Sequence, residues 1–403
     1  MTDAETFAER LRSGDLRWYE LEDETDPDTA TDARRLALEG ETATSLETVG
    51  SYTFEAAAAT ANIENMVGAI QVPLGVAGPL PVDGAHADGA YRLPLATTEG
   101  ALVASVNRGC AVLREAGGAT ARITATGMTR APVFAVPDVE TGADIIEWVT
   151  ENESRLAAAA EETTSHGRLT DIDPHLVGRR LFLRFSFTTG DAMGMNMVTI
   201  ATRAACDLIE SETAADLIAL SGNLCSDKKP AAVNAVNGRG RTVTAEVEIP
   251  EVVIEDVLGT TPEAMAELHH SKVYLGGAKA VSLGFNAHAA NVIAASFLAT
   301  GQDEAHVVEG ANTITSMRPT ESGLYASVTC ASLQLGTVGG GTTLPTQREA
   351  LDILGLAGGG EPSGSNADAL AEIIAAGVLA GELSLIGALA ARQLSSAHEE
   401  LGR

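Results

Sequence analysis

Lysine is the residue this sequence most nearly does without. Four stand among 403 residues, at positions 228, 229, 272 and 279, and arginine supplies the remainder of the 26 basic side chains. Aromatic residues amount to 4%, and 55 acidic residues leave a net charge of −29. A surface of that sign repels phosphate, which argues against nucleic acid and anionic membranes as partners. It suits a halophilic protein, because in molar salt the Debye length shrinks to roughly 3 Å and like charges stop repelling. The four cysteines, Cys110, Cys206, Cys225 and Cys330, form no CxxC pair. Their spacing speaks against a zinc ribbon or a disulfide framework, gives no metal site, and fits a reducing cytoplasm. Neither GxGxxG nor a Walker A motif occurs, so a bound nucleotide requires a non-Rossmann site. The N-terminus is acidic, without an apolar stretch behind a basic start, and reads as no secretory signal.

What is present describes a globular chain, 45% apolar, long enough for two or three domains. Residues 1–66 are charged and Thr/Ala-rich, with helical patches at Ala4–Arg12 and Asp32–Leu38, and predict a small helical N-terminal domain. Val67–Pro81, with Pro73, Gly75, Gly78, Pro79 and Pro81, reads as tight turns. A helix is expected to open at Ala96-Thr97-Thr98-Glu99-Gly100, with Thr98 as N-cap, and to run to Gly117. Residues 131–220 have a different rhythm. They carry a strand at Val133–Val136, a helix at Ala143–Glu162, an alternating strand at Arg180–Phe187 and a helix from about Gly194 to Glu210. That order predicts an α+β module inserted into a larger domain made of 67–130 and 221–403. A strand at Val243–Ile249 and helices at Pro262–His270, Ala278–Ala299 and Ala367–His398 follow. Ile373–Ala391 is apolar enough to span a membrane, yet it carries Glu382 and many small residues and reads as a buried core helix.

Against so few lysines, the adjacent pair in Asp227-Lys228-Lys229-Pro230 stands out. An ammonium is a compact charge suited to one developing oxyanion, although an Asp-Lys-Lys stretch alone also reads as a solvated turn. The stretch from Asp191 to Met197 joins a strand to a helix whose first N–H groups favour a phosphate. The glycine-rich run from Gly336 to Thr342 offers a second cradle. Glu99, Asp303 and His398 complete the ionisable candidates; each has a plain alternative as a helix-end or surface residue.

Glu64–Gly68, Ala96–Gly100, Asp191–Met197, Asp227–Ala232, Gly301–Asp303 and Gly336–Thr342 stand in one order, and with His398 the chain from about Ile63 resembles the 3-hydroxy-3-methylglutaryl-coenzyme A reductase family, class I. The resemblance implies a large domain with a long central helix, an inserted ferredoxin-like NADPH domain and a helical N-terminal domain. It implies reduction of the acyl-CoA thioester to mevalonate with NADPH as co-substrate and no metal. It further implies a homodimer, possibly paired into tetramers, with the active site between subunits and Glu64–Gly68 at the interface. By resemblance Glu99, Lys228, Asp303 and His398 are catalytic. Arg130, Ser221, Lys229, Lys272 and Asn291 match positions on the acyl group, and Ser105, Asn107, Arg108 and His288 match positions along coenzyme A. Asp191, Met195, Asn196, Val338 and Gly339 match nicotinamide-nucleotide contacts. Lys279 matches nothing. His166 stands where the family often has an arginine for the 2′-phosphate, and Arg403 lies where another family arginine meets that phosphate. A thioester hydrolase or lyase, or an acyl-CoA binding protein, is the competing expectation; either one consumes no NADPH.

Overall fold

The structure is a computed structural model that describes residues 2–401, with side chains described through Arg392. The side chain of His398 and the whole of Arg403 therefore lie outside the described residues.

One twisted sheet runs through the molecule. Its strands in chain order are β1 (Leu74–Gly84), β2 (Asp88–Ala96), β3 (Ala119–Arg130), β4 (Val133–Ala135) and β5 (Arg168–Val177). Then come β6 (Arg180–Thr188), β7 (Asp216–Ala219), β8 (Gly240–Pro250), β9 (Thr313–Pro319) and β10 (Gly323–Leu333). The order across the sheet is β7-β4-β6-β3-β8-β10-β9, with β1 and β2 attached through β3, and β5 through β6. Strand β3 is its joint. The first part of β3 pairs antiparallel with β8, from Thr120 opposite Glu246 to Gly127 opposite Gly240. Its last three residues pair instead with β6, ending with Arg130 opposite Phe185. A bulge between Ile123 and Ala125, within the β8 ladder, bends the strand ahead of the change of partner. Arg130 is thus delivered to the seam between two cores.

The smaller core lies under β6, where Leu181, Leu183, Phe185 and Phe187 point inward at every second position. Val198, Ala201, Ala205, Cys206 and Ile209 of the helix Met195–Glu212 close it from one side. The larger core surrounds the helix Ser365–Leu401. That helix is long and apolar enough to cross a membrane, but 83% of its most apolar window is buried inside the protein. It is apolar all round because it is enclosed. Small residues let its neighbours approach: a Cβ on Gly109, in the helix Leu102–Glu115, would overlap the carbonyl oxygen of Ala380. Two fully buried glutamates on this helix are satisfied chiefly by backbone donors. Glu372 accepts from the N–H groups of Ala85, His86 and Ala87 at the turn between β1 and β2. Glu382 accepts from the N–H groups of Ala287 (2.7 Å) and His288 (2.8 Å) and from the Thr315 hydroxyl (2.7 Å). At the N-terminus the helices Asp3–Ser13 and Pro27–Thr42 pack through Ala8, Leu11, Ala30, Ala33 and Ala37.

Four local expectations are corrected. The Pro/Gly-rich 74–81 stretch belongs to β1, where Pro79 fits because it falls in the register shift between Ala77 and Leu80 and no ladder N–H is required of it. Thr98 caps nothing: the helix begins at Leu102 after Ala101 turns left-handed (φ 72°), and Thr97 Oγ1 accepts from Glu99 N. The 143–162 helix is two, Val139–Glu151 and Glu153–Glu161, because Asn152 ends the first through a bond to the Trp148 carbonyl. The 278–299 helix breaks at Val281 (φ 56°) and resumes at Ala289, where Asn286 Oδ1 accepts from the Ala289 N–H.

Candidate active site

Lys228 lies in an irregular loop after β7, and three non-glycine residues there are left-handed: Asn223, Ser226 and Lys228, the last with φ 57°. Its ammonium meets Asp303 Oδ2 at 3.0 Å. Asp303 is fixed by capping the short 3-10 helix Glu304–His306, accepting from Ala305 N. Hydrogen bonding to Asp303 pushes the Lys228 ammonium above its ordinary 10.5, against an opposing push from partial burial. Burial pushes the Asp303 carboxyl up, but the Lys228 bond, the His306 ring and the Ala305 N–H outweigh it and hold the group below its ordinary 3.8. Both members are therefore charged across the neutral range.

Beneath this pair is a buried ionic cluster. Arg239, wholly buried, joins Asp227 Oδ1 (3.1 Å) to Glu309 Oε1 (3.2 Å) and donates from Nη2 to Met195 Sδ. His306, also wholly buried, has Nδ1 3.5 Å from Glu309 Oε1 and Nε2 3.7 Å from Asp303 Oδ2. Asp227, His306 and Glu309 are close enough together to hold an ion. The Arg239 guanidinium supplies positive charge between the Asp227 and Glu309 carboxylates. No motif in the sequence singles out Arg239, Glu309 or His306. A signal exists all the same: Asp303, His306 and Glu309 are three apart, the spacing that stacks side chains along a tight helical turn.

The pair borders a cleft of about 780 Å³ lined by Arg130, Met195, Asn196, Lys228, Asp303, Val338 and Gly339, among others. One wall is the start of the helix Met195–Glu212, preceded by Gly194 (φ 92°), where a Cβ would strike the Thr189 side chain. The adjoining wall is the run 338–341, joined to the segment before that helix by a bridge between Val338 and Ala192. Gly301 and Gly341 touch backbone to backbone, which sets Asp303 beside that run. Asp191 supports the first wall from below: its carboxylate is consumed by the N–H groups of Gly360, Gly364, Asn366 and Ala367, at the head of the long helix. Its position is structural rather than at the cleft surface.

The other expected residues gather elsewhere. Glu99 is exposed and accepts from Asn291 Nδ2 at 3.4 Å. Asn291 also meets His288 Nδ1 (3.4 Å), whose Nε2 donates to the Gly381 carbonyl (2.8 Å). One turn along the long helix, Ser384 Oγ meets Ser105 Oγ and the Arg108 Nε, each at 3.0 Å. Asn107 Oδ1 accepts from Gly78 N. None of these residues lines the 780 Å³ cleft. Lys229 donates to the Asp227 carbonyl, Ser221 Oγ lies 3.5 Å from Cys225 Sγ, and Lys272 and Lys279 are exposed. Of the expected catalytic residues, one chain thus brings Lys228 and Asp303 together and keeps Glu99 apart, with its own neighbours on the flank of the long helix.

Comparisons with known proteins show the family. The family description "Hydroxymethylglutaryl-coenzyme A reductase" matches residues 30–403. The 3-hydroxy-3-methylglutaryl-coenzyme A reductase of Haloferax volcanii is 64% identical over 403 residues, covering 100% of both chains. That of Methanothermobacter thermautotrophicus is 53% identical over 395 residues, 98% of each. Among solved structures, the class II reductase of Streptococcus pneumoniae bound to NADPH shares the fold with a TM-score of 0.68 at 19% identity, over 93% of this chain and 100% of that one. The chain belongs to the hydroxymethylglutaryl-coenzyme A reductase family.

Proposed function

We propose that the protein reduces 3-hydroxy-3-methylglutaryl-coenzyme A to mevalonate and free coenzyme A with two NADPH, within the mevalonate route to isoprenoids in the cytoplasm. The observation that carries this reading is the Lys228–Asp303 pair, 3.0 Å apart, at the edge of a cleft walled by a helix start and a glycine run. Those walls fit a nucleotide. Free N–H groups at a helix start favour a phosphate, and Gly339 and Gly340 leave open space where a Cβ would stand. Residues 131–220 act as the nucleotide-binding unit, with Met195, Asn196, Val338 and Gly339 as contacts and Arg403 at the 2′-phosphate. NADPH, when bound, supplies the hydride for each of the two reductions.

The residues of the chain do the remainder. Negative charge grows on the acyl oxygen as its carbon is reduced, and the Lys228 ammonium stabilises it, an effect strongest where water is excluded. Asp303 keeps that ammonium charged and aimed. Glu99 donates a proton to the oxygen of the second-stage aldehyde, and His398 protonates the departing thiolate, a task matched to imidazole. Arg130, Lys229 and Lys272 hold the free carboxylate of the substrate by charge-assisted bonds, with Ser221 and Asn291 at its other polar groups. Ser105, Asn107, Arg108 and His288 follow the coenzyme A.

These assignments require the Glu99 group and the Lys228 group to meet. Their separation within one chain supports a homodimer in which the partner subunit's Glu99 group completes the Lys228 cleft. The test is loss of NADPH absorbance on adding the thioester, with free thiol measured alongside. About two NADPH consumed per thiol is expected, and thiol release without NADPH loss replaces this reading with a hydrolase.

A further inference from the structure

Two acids grip Lys228 from opposite ends. Asp303 holds its ammonium, and Glu309 Oε1 accepts its backbone N–H at 2.6 Å. The Glu309 side chain is wholly buried, and the same oxygen also meets Arg239 Nη1 at 3.2 Å and His306 Nδ1 at 3.5 Å. Lys228 is left-handed at φ 57°, as are Asn223 and Ser226 in the same loop. Non-glycine residues persist in that region only where their surroundings over-determine them. The two grips share one rigid origin. The 3-10 helix Glu304–His306 runs straight into the helix Val307–Gly310, stacking Asp303, His306 and Glu309 on one face, with the His306 ring between the acids.

We propose that Glu309 is a positioning residue for Lys228: by accepting its backbone N–H, Glu309 fixes the left-handed turn that aims the ammonium into the cleft. The inference rests on the reading that Lys228 acts on the acyl oxygen. Glu309 then has two separable duties, its charge answering Arg239 and its reach meeting the Lys228 N–H.

Two variants of the full chain divide those duties. Glu309→Asp keeps the charge and withdraws the oxygen by one methylene. Glu309→Gln keeps an oxygen at full reach and gives up the charge. In Glu309→Asp, kcat for NADPH oxidation falls roughly 10- to 100-fold while the KM of either substrate stays within about threefold. Glu309→Gln stays within about fivefold of the parent kcat. A Glu309→Asp enzyme with the parent kcat, or a Glu309→Gln enzyme that falls as far, overturns the proposal.

A second readout needs no turnover. Four lysines give four backbone amide signals in protein labelled with 15N-lysine. The Lys228 signal, shifted downfield by its short bond to a carboxylate, moves upfield in Glu309→Asp while the other three stay; an unmoved signal overturns the contact. Should Glu309→Asp not fold, the parent protein decides: a Lys228 amide within the range of the other three contradicts the short bond. A parent enzyme that consumes no NADPH removes the reductase reading and leaves this placement standing.

Discussion

The Lys228 group and the Glu99 group are held in different ways. Around Lys228, the ionic cluster of Arg239, Glu309, His306 and Asp227 underlies a loop with three left-handed residues, and the ammonium–carboxylate contact is 3.0 Å. Around Glu99, the side-chain partner is the Asn291 amide, the hydrogen bond is long at 3.4 Å, and the carboxylate is exposed. Charge organises the first group before any ligand arrives. The second is placed indirectly, through Glu382, which pins the backbone at Ala287 and His288 from inside the long helix. A fixed cation and a loosely held carboxyl are the two kinds of group expected when one stabilises charge and the other hands over a proton.

Lys228→Ala should widen the contrast most. Turnover falls roughly 10²- to 10³-fold, because the charge is needed chiefly in the transition state, while the KM values stay near those of the parent. Steady-state kinetics check this, and an unchanged kcat removes Lys228 from its role. Glu382→Leu attacks the other group from within. It strands three donors that Glu382 now satisfies and should destabilise the protein by roughly 2–4 kcal/mol in urea unfolding, with thioester KM rising more than NADPH KM. Asn291→Ala removes two long hydrogen bonds and one polar contact to the acyl group, and should cost about 10-fold in kcat/KM for the thioester. The smallest effect is one of pH. Since Asp303 raises Lys228 above 10.5, the ammonium is retained as pH rises from 7 toward 10.5, and the log kcat profile should show no alkaline fall from Lys228 in that range. A fall that Asp303→Asn moves to lower pH shows instead that the pair titrates there.

The exposed half of this chemistry is more legible in the sequence than the buried half. Lys228 is conspicuous because lysine is scarce, and Asp303 and Glu99 stand in recognisable ordered stretches. Arg239 is one of many arginines and has no local mark, so only the fold brings it between Asp227 and Glu309. His306 and Glu309 carry no mark in the sequence, and their face is turned inward against the Lys228 loop. The alternating strand at 180–187 is legible because one face is buried. Strand β10 alternates too, buried at Leu324, Ala326, Val328 and Cys330 and half-buried between them, but its small and weakly polar residues make the pattern faint in the sequence. Asp191 is legible as a residue of interest, but not that its carboxylate is spent on the head of the long helix.

The central claim is that one site takes Lys228 and Asp303 from one subunit and Glu99 from its partner. Mixing Glu99→Gln and Lys228→Ala chains, each inactive alone, by unfolding and refolding them together tests it most directly. About half of the resulting dimers are mixed and each holds one intact site, so about a quarter of the parent activity should return. A refolded mixture as inactive as its two components would place both residues in the same subunit's site and contradict the account.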